Sequence, residues 1–244
     1  MKCVCCGREL TENDKICPAC AARRVTACMS CGRIETEGKT LCPQCGGEVL
    51  PVYDLTVEEM RQKGFHCFIP FSDDHIFDIY LGGNRDREGY VFHNEKGYTG
   101  ELTETVVLPS MVNGHMIHGI WNEFFCNGDC FFPAEVLRGT LERMLKIKKI
   151  VVSNGIKDIW TFAFIGCSGL ETLVLPASVE RMKYDFYDLL SDGLVPLSPG
   201  QDRKPITICY KGSRSQWDKV DTSSRLVEYM EKGYIILRCD QTDD

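Results

Sequence analysis

The chain has 244 residues, a formal net charge of −7 and 15 cysteines. This length fits one or two domains with room for a hydrophobic core. The acidic balance makes nucleic acid an unfavoured partner, because phosphate binding requires a basic surface. The odd cysteine count and the polar start of the chain predict a reducing, cytoplasmic location, and no apolar run reaches the about 18 residues that would span a bilayer. We therefore expect no membrane partner.

Eight cysteines in the first 45 residues fall into two copies of one spacing. Each copy consists of two Cys-x2-Cys pairs separated by ten residues, and the second copy follows the first by 25 residues. Two such pairs supply the four thiolates of a closed, structural Zn²⁺ site, so we predict two zinc ions. The predicted metal ligands are Cys3, Cys6, Cys17 and Cys20 for the first site, and Cys28, Cys31, Cys42 and Cys45 for the second.

The second copy fixes the ligand register of the first. Ser30 occupies the position equivalent to Cys5, so Cys5 is the spare thiol. Each copy resembles a zinc ribbon, and residues 1–47 resemble a double zinc ribbon. A closed site leaves no coordination position for a substrate, which favours a structural role over redox chemistry. Two centres of charge about −2 each would bring the net charge to about −11.

A short linker is predicted at 48–64. Gly46, Gly47 and Pro51 end the second ribbon, and the capping-box pattern of Thr56 and Glu59 predicts a helix over 57–63. Short extended segments at 76–81 and 90–92 then predict a small β-rich unit over 65–100.

A second repeat begins after residue 100. Apolar residues recur at an offset of 23, and an earlier turn matches at an offset of 39, with the extra length assigned to a helical insertion at 133–146. Such a period predicts a solenoid in which each turn adds a short strand. The first set is Ile147, Ile150, Val152, Ile156, Ile159 and Phe164; the second is Leu170, Leu173, Leu175, Val179, Met182 and Tyr187; the earlier turn is Ile117, Ile120, Trp121 and Phe125.

Residues 101–240 resemble leucine-rich repeats of the BspA type. The matching features are strand ends at Pro109 and Pro176 and an Ala-Phe-x-x-Cys-x-x-Leu corner at 163–170. The predicted fold class is therefore mainly β with some α, with two small zinc ribbons joined to a short leucine-rich repeat solenoid. The resemblance implies binding of another protein. The repeat register places Phe164 and Ile159 in the core, and Lys157 and Glu171 in solvent.

No catalytic motif is recognisable, so we expect no enzyme and no small-molecule substrate. The leading hypothesis is a cytoplasmic adaptor for protein–protein interaction. Alternatives are a nucleic-acid-associated regulator that uses the ribbons, and an enzyme with an unrecognised site in 65–146. Three further features are interpreted as structural. Cys167 is a buried core residue, Asp73, Asp74 and His75 form a turn, and His115, His118, Cys126 and Cys130 are surface or turn residues rather than a third metal site.

Overall fold

The structure is a computed structural model that describes residues 11, 23–29, 33–35, 38–62, 68–70, 90–92, 103–120, 146–160, 163–164, 167, 169–183 and 205–240. Strands dominate these residues, so the prediction of a mainly β protein with some α is confirmed. None of the helices in these ranges is long and apolar enough to cross a membrane. The predicted insertion at 133–146 and the extended segment at 76–81 lie outside the described residues.

The strands nearest the second cysteine set form an antiparallel group. Strand β1 (Arg23–Cys28) lies between β2 (Ile34–Glu35) and β3 (Val49–Leu55). The sequence does not predict β3, because Pro51 indicates the end of the second ribbon and not a strand. Proline is tolerated in a strand where its missing N–H is not needed by the ladder, and Pro51 lies opposite Thr26 in the pairing of β3 with β1. The segment 48–64 is therefore more than a linker.

The predicted helix follows β3 directly. Helix α1 (Val57–Gln62) begins with both bonds of a capping box. The Thr56 N–H donates to Glu59 Oε2 at 2.6 Å, and the Glu59 N–H donates to Thr56 Oγ1 at 3.1 Å. These bonds satisfy two N–H groups that a helix start leaves without partners.

Two further short strands precede the repeats. Strand β4 (Phe68–Pro70) pairs antiparallel with β5 (Tyr90–Phe92). The sequence predicts the extended segment at 90–92. Strand β5 also pairs in parallel with β8 (His115–Ile120). A tight turn at Asn113 and Gly114, both with positive φ, joins β8 to β7 (Met111–Val112).

Two parallel ladders make up the rest of the described fold, and the chain alternates between them. The first ladder has the strand order β6, β9, β11, β13, β15, and the second continues from β8 through β10 and β12 to β14. The first contains β6 (Thr105–Leu108), β9 (Lys149–Val152), β11 (Thr172–Leu175), β13 (Ile206–Tyr210) and β15 (Ile235–Arg238). The second contains β10 (Asp158–Ile159), β12 (Arg181–Met182) and β14 (Asp221–Thr222).

The two sequence offsets correspond to registers of neighbouring strands. Ile150 lies opposite Leu173, which is 23 residues later, and Ile159 likewise lies opposite Met182. Ile120 lies opposite Ile159 at the offset of 39. The periodicity in the sequence therefore corresponds to lateral strand pairing.

The main core fills the space that the inner faces of the strands enclose. Every repeat position within the described residues is buried there, including Phe164 and Ile159, and Cys167 is buried as predicted. Tyr187, Trp121 and Phe125 lie outside the described residues. Strands β6 and β11 end directly before Pro109 and Pro176. Two short helices, α2 (Arg214–Trp217) and α3 (Ser224–Glu231), follow β13 and β14.

One of the two solvent assignments is wrong. Glu171 is exposed, as predicted, but Lys157 is only 5% exposed and its Nζ lies 2.8 Å from Glu180 Oε1. The Lys157 N–H donates to the His118 carbonyl, and its own carbonyl accepts from the Glu180 N–H. Lys157 therefore lies between the segments that contain His118 and Glu180.

Candidate metal centre and the outer face of the first ladder

Three of the four cysteines predicted for the second zinc site lie together. The Sγ atoms of Cys28, Cys42 and Cys45 are all within 4.8 Å of one another, and Cys28 and Cys45 are 3.4 Å apart. That separation is too long for a disulfide, whose sulfurs lie about 2.05 Å apart. It is close to the about 3.8 Å expected between two sulfurs bound tetrahedrally to one zinc with bonds of about 2.3 Å.

A tight turn brings Cys42 and Cys45 to the same point. The Gly46 N–H donates to the Cys42 carbonyl at 2.8 Å, and Gly46 has a φ of +70°. This left-handed conformation favours glycine and reverses the chain, so that Leu41 pairs with Glu48. The cysteine pair is therefore oriented by backbone geometry.

Cys28 reaches the turn from the end of β1. Its N–H donates to the Arg33 carbonyl at 2.9 Å, which holds Cys28 and Arg33 together. Arg33 Nη1 also donates to Gln44 Oε1 at 3.2 Å and links Arg33 to the cysteine turn. Cys28 and Cys42 are buried, together with Val49, and Cys45 is exposed.

The donor set fits zinc. Clustered thiolates are the ligands that select Zn²⁺ over the hard cations, and three of them already surround one point. Cys31, the predicted fourth ligand, lies outside the described residues, as do all four cysteines of the first site, Cys5 and Ser30. Both complete ligand sets therefore stay predictions, while one cysteine cluster suited to a metal is present.

The candidate metal centre is packed against the repeats, which the sequence does not indicate. Ala27 and Met29 flank Cys28 and share a buried cluster with Val52, Met111 and Met116. Strand β3 continues the contact, because it pairs in parallel with β7 and the Gly114 N–H donates to Asp54 Oδ1 at 3.0 Å. The second cysteine set and the start of the ladders thus share one sheet.

The histidines on β8 face different environments. His115 is exposed, but His118 is only 4% exposed, so its interpretation as a surface or turn residue is wrong. Strand alternation separates the two side chains. Cys126, Cys130 and residues 73–75 lie outside the described residues.

The first ladder turns a largely uncharged, partly apolar row outward. In β9, Ile150 and Val152 enter the main core, so Lys149 and Val151 face the other side of the sheet. Strand register aligns Val151 with equivalent positions on the neighbouring strands. We call this the outer row: Val107, Val151, Val174, Cys209 and Arg238. Beside it runs the threonine row: Thr105, Lys149, Thr172, Thr207 and Ile236.

Charged residues are concentrated instead on the second ladder. Arg181 donates to both carboxylate oxygens of Asp158, at 2.6 Å and 3.0 Å, and this bonding raises the pKa of the Arg181 guanidinium. Arg181 also lies over the ring of Trp160, and Lys183 pairs with Asp221. Such paired charges satisfy one another, so they indicate a structural role.

Comparison with protein-family models, with curated proteins and with solved structures gave no match for this chain.

Proposed function

We propose that this chain is a non-enzymatic zinc-binding protein that acts as a cytoplasmic protein–protein interaction module or adaptor. In this proposal residues 1–47 are two zinc ribbons, each with one structural zinc, and residues 101–240 form a leucine-rich repeat solenoid. The outer face of the first ladder contacts the partner.

The observation that carries the proposal is the agreement between sequence offset and strand register. Because equivalent residues lie side by side, their outward neighbours form continuous rows over five strands. Repeat proteins of this kind bind through an extended surface of such rows. The outer row supplies three valines and Cys209 without an acidic residue, which suits contact with apolar side chains of another protein.

The acidic balance of the chain disfavours nucleic acid. Arg23 lies 3.6 Å from the Asp54 carboxylate, and Arg33 donates to Gln44. Both arginines stay exposed to solvent in part, but the net charge of −7 opposes binding to phosphates, which requires a basic surface. The nucleic-acid-associated regulator is therefore the less supported candidate.

The test is to identify a partner by affinity capture with the full chain and then to reconstitute the complex from purified components. Replacing Val107 and Val151 by Thr keeps the β-branched shape that strands favour but makes the outer row polar. We expect a tenfold or greater loss of affinity, because each threonine hydroxyl would be buried against apolar side chains without a hydrogen-bond partner, at a cost of about 1 to 3 kcal/mol.

The matched control is Val227→Thr, which changes an exposed valine on α3 outside the ladder. It should leave the affinity unchanged. Equal binding by the double variant and the control would contradict the proposal. Salt-dependent binding to generic DNA or RNA would favour the nucleic-acid alternative.

A further inference from the structure

We infer that the segment recognised by the outer row is an amphipathic α-helix with an aliphatic stripe and acidic flanks, lying across the strands of the first ladder. The inference rests on the proposed function and adds the shape and charge of the partner.

The spacing of the outer row favours a helix. Neighbouring strands lie about 4.8 Å apart, so the three steps from Val107 to Cys209 cover about 14 Å. Three turns of an α-helix advance about 16 Å, which keeps side chains three and four residues apart close to successive strands.

An extended partner fits the same row poorly. Side chains on one face of a β-strand recur every about 6.7 Å, so three repeats advance about 20 Å. The mismatch with the row reaches about 6 Å, more than one strand spacing. The side-chain spacing of a helix differs from that of the row by only about 2 Å over the same length. A helix laid on an apolar groove is also an established mode of peptide recognition.

The apolar content of the outer row suits an aliphatic stripe. Val107, Val151 and Cys209 are half-buried, and Val174 on the central strand is 9% exposed. Ile236 in the threonine row is exposed and extends the apolar surface at the β15 end. Leucines of a helix stripe would contact these valines and Cys209 along the length of the row.

The charge of the face is opposite in sign to that of the whole chain. The ten positions of the two rows include Lys149 and Arg238 and no acidic residue, on a chain of net charge −7. Glu171 lies outside the rows and pairs with Lys148 at 3.9 Å. Lys149 flanks the outer row beside Val151, and Arg238 ends it. Acidic side chains along the stripe would therefore meet a complementary potential.

Two synthetic peptides of about 18 residues, or five helical turns, provide the probe. Both carry the same leucine stripe at helical spacing, and the flanking positions are all Glu in one and all Lys in the other. Their affinity for the full-length, zinc-loaded chain is measured by fluorescence anisotropy at low and high salt. We expect the Glu peptide to bind tenfold tighter or more at low salt, and the preference to shrink as salt screens the charges.

Variants assign the effect to the face. Lys149→Glu combined with Arg238→Glu should abolish or reverse the preference for the Glu peptide. Lys219→Glu, which changes an exposed lysine outside the rows, is the control for a charge reversal elsewhere and should retain it. A proline in the middle of the Glu peptide should reduce its affinity by breaking the helix.

The outcomes separate this inference from the proposed function. If both peptides bind equally and the Val107 and Val151 double variant weakens both, the face is a docking surface but the acidic-helix inference is overturned. If the proline peptide binds as tightly as its parent, the helical geometry is overturned. If neither peptide binds and the chain instead forms a dimer that the double variant dissociates, a second copy occupies the face and the acidic-helix inference is again overturned.

Discussion

Gly155 tests the packing of the second cysteine module against the repeats. It lies between β9 and β10 with a φ of +98°, and a Cβ placed there would lie 1.7 Å from Met116 Cε and 3.7 Å from Met29 Sδ. Gly155→Ala therefore combines two costs. The backbone conformation costs a residue with a side chain about 1 to 3 kcal/mol, and forcing a methyl into a packed cluster costs about 1 to 3 kcal/mol more.

We expect Gly155→Ala to lower the free energy of unfolding by about 2 to 6 kcal/mol. The assay is urea denaturation of the zinc-loaded chain, followed by circular dichroism. The matched control is Gly233→Ala, because Gly233 has a φ of +75° but a methyl added there would meet no atom within 4 Å. The control should show the backbone cost alone, about 1 to 3 kcal/mol.

A second variant separates crowding from strain. In the double variant Gly155→Ala with Met116→Ala, the shortened side chain at 116 makes room for the new methyl. The summed cost of the two single variants should therefore exceed that of the double variant by about 0.5 kcal/mol or more. If Gly155→Ala cost no more than Gly233→Ala and the double variant were additive, the packing of Met29 and Met116 around Gly155 would be refuted.

Three further predictions concern the repeats. Phe164→Ala should cost about 3 to 5 kcal/mol in urea denaturation, because a fully buried ring leaves a cavity; a cost below about 1 kcal/mol would contradict its core position. Lys157→Ala should cost about 1 to 3 kcal/mol and Glu171→Ala at most about 0.5, since only the first side chain is buried; equal costs would contradict the corrected register. Burial raises the pKa of the Tyr210 phenol, and the negative charge of a nearby Cys239 thiolate raises it further, so its contribution to stability is complete below about pH 10 and is lost as the pH rises through the higher folded-state pKa. Tyr210→Phe should reduce this alkaline loss and the exposed-site control Tyr234→Phe should not, as measured by unfolding free energy against pH; identical profiles would contradict it.

The sequence predicts those features that local chemistry or strict repetition determines. The cysteine cluster follows from ligand spacing, and the helix start follows from Thr56 and Glu59 within one turn. The burial of Ile150 and Leu173 follows from the 23-residue repeat, because residues at this offset lie opposite each other on neighbouring strands.

Contacts between distant segments are not predictable in the same way. Lys157 is enclosed by residues 39 positions before it and 23 after it, and nothing in its immediate neighbours shows this. The pairing of β3 with β7 has no clear sequence signal. Pro51 indicates a domain boundary in the sequence, although it lies within β3 in the structure. Met29 and Met116 meet only because of that pairing, so their cluster has no local sequence signal either.

Zinc coordination is the most direct test of the central claim, that the repeated cysteines form closed structural sites. X-ray absorption at the zinc edge, combined with elemental analysis of the purified full chain, measures the ligand type and the metal content together. We predict two zinc ions per chain, each bound by four sulfurs at about 2.3 Å. Oxygen or nitrogen among the direct ligands, a single zinc, or iron in its place would contradict the claim.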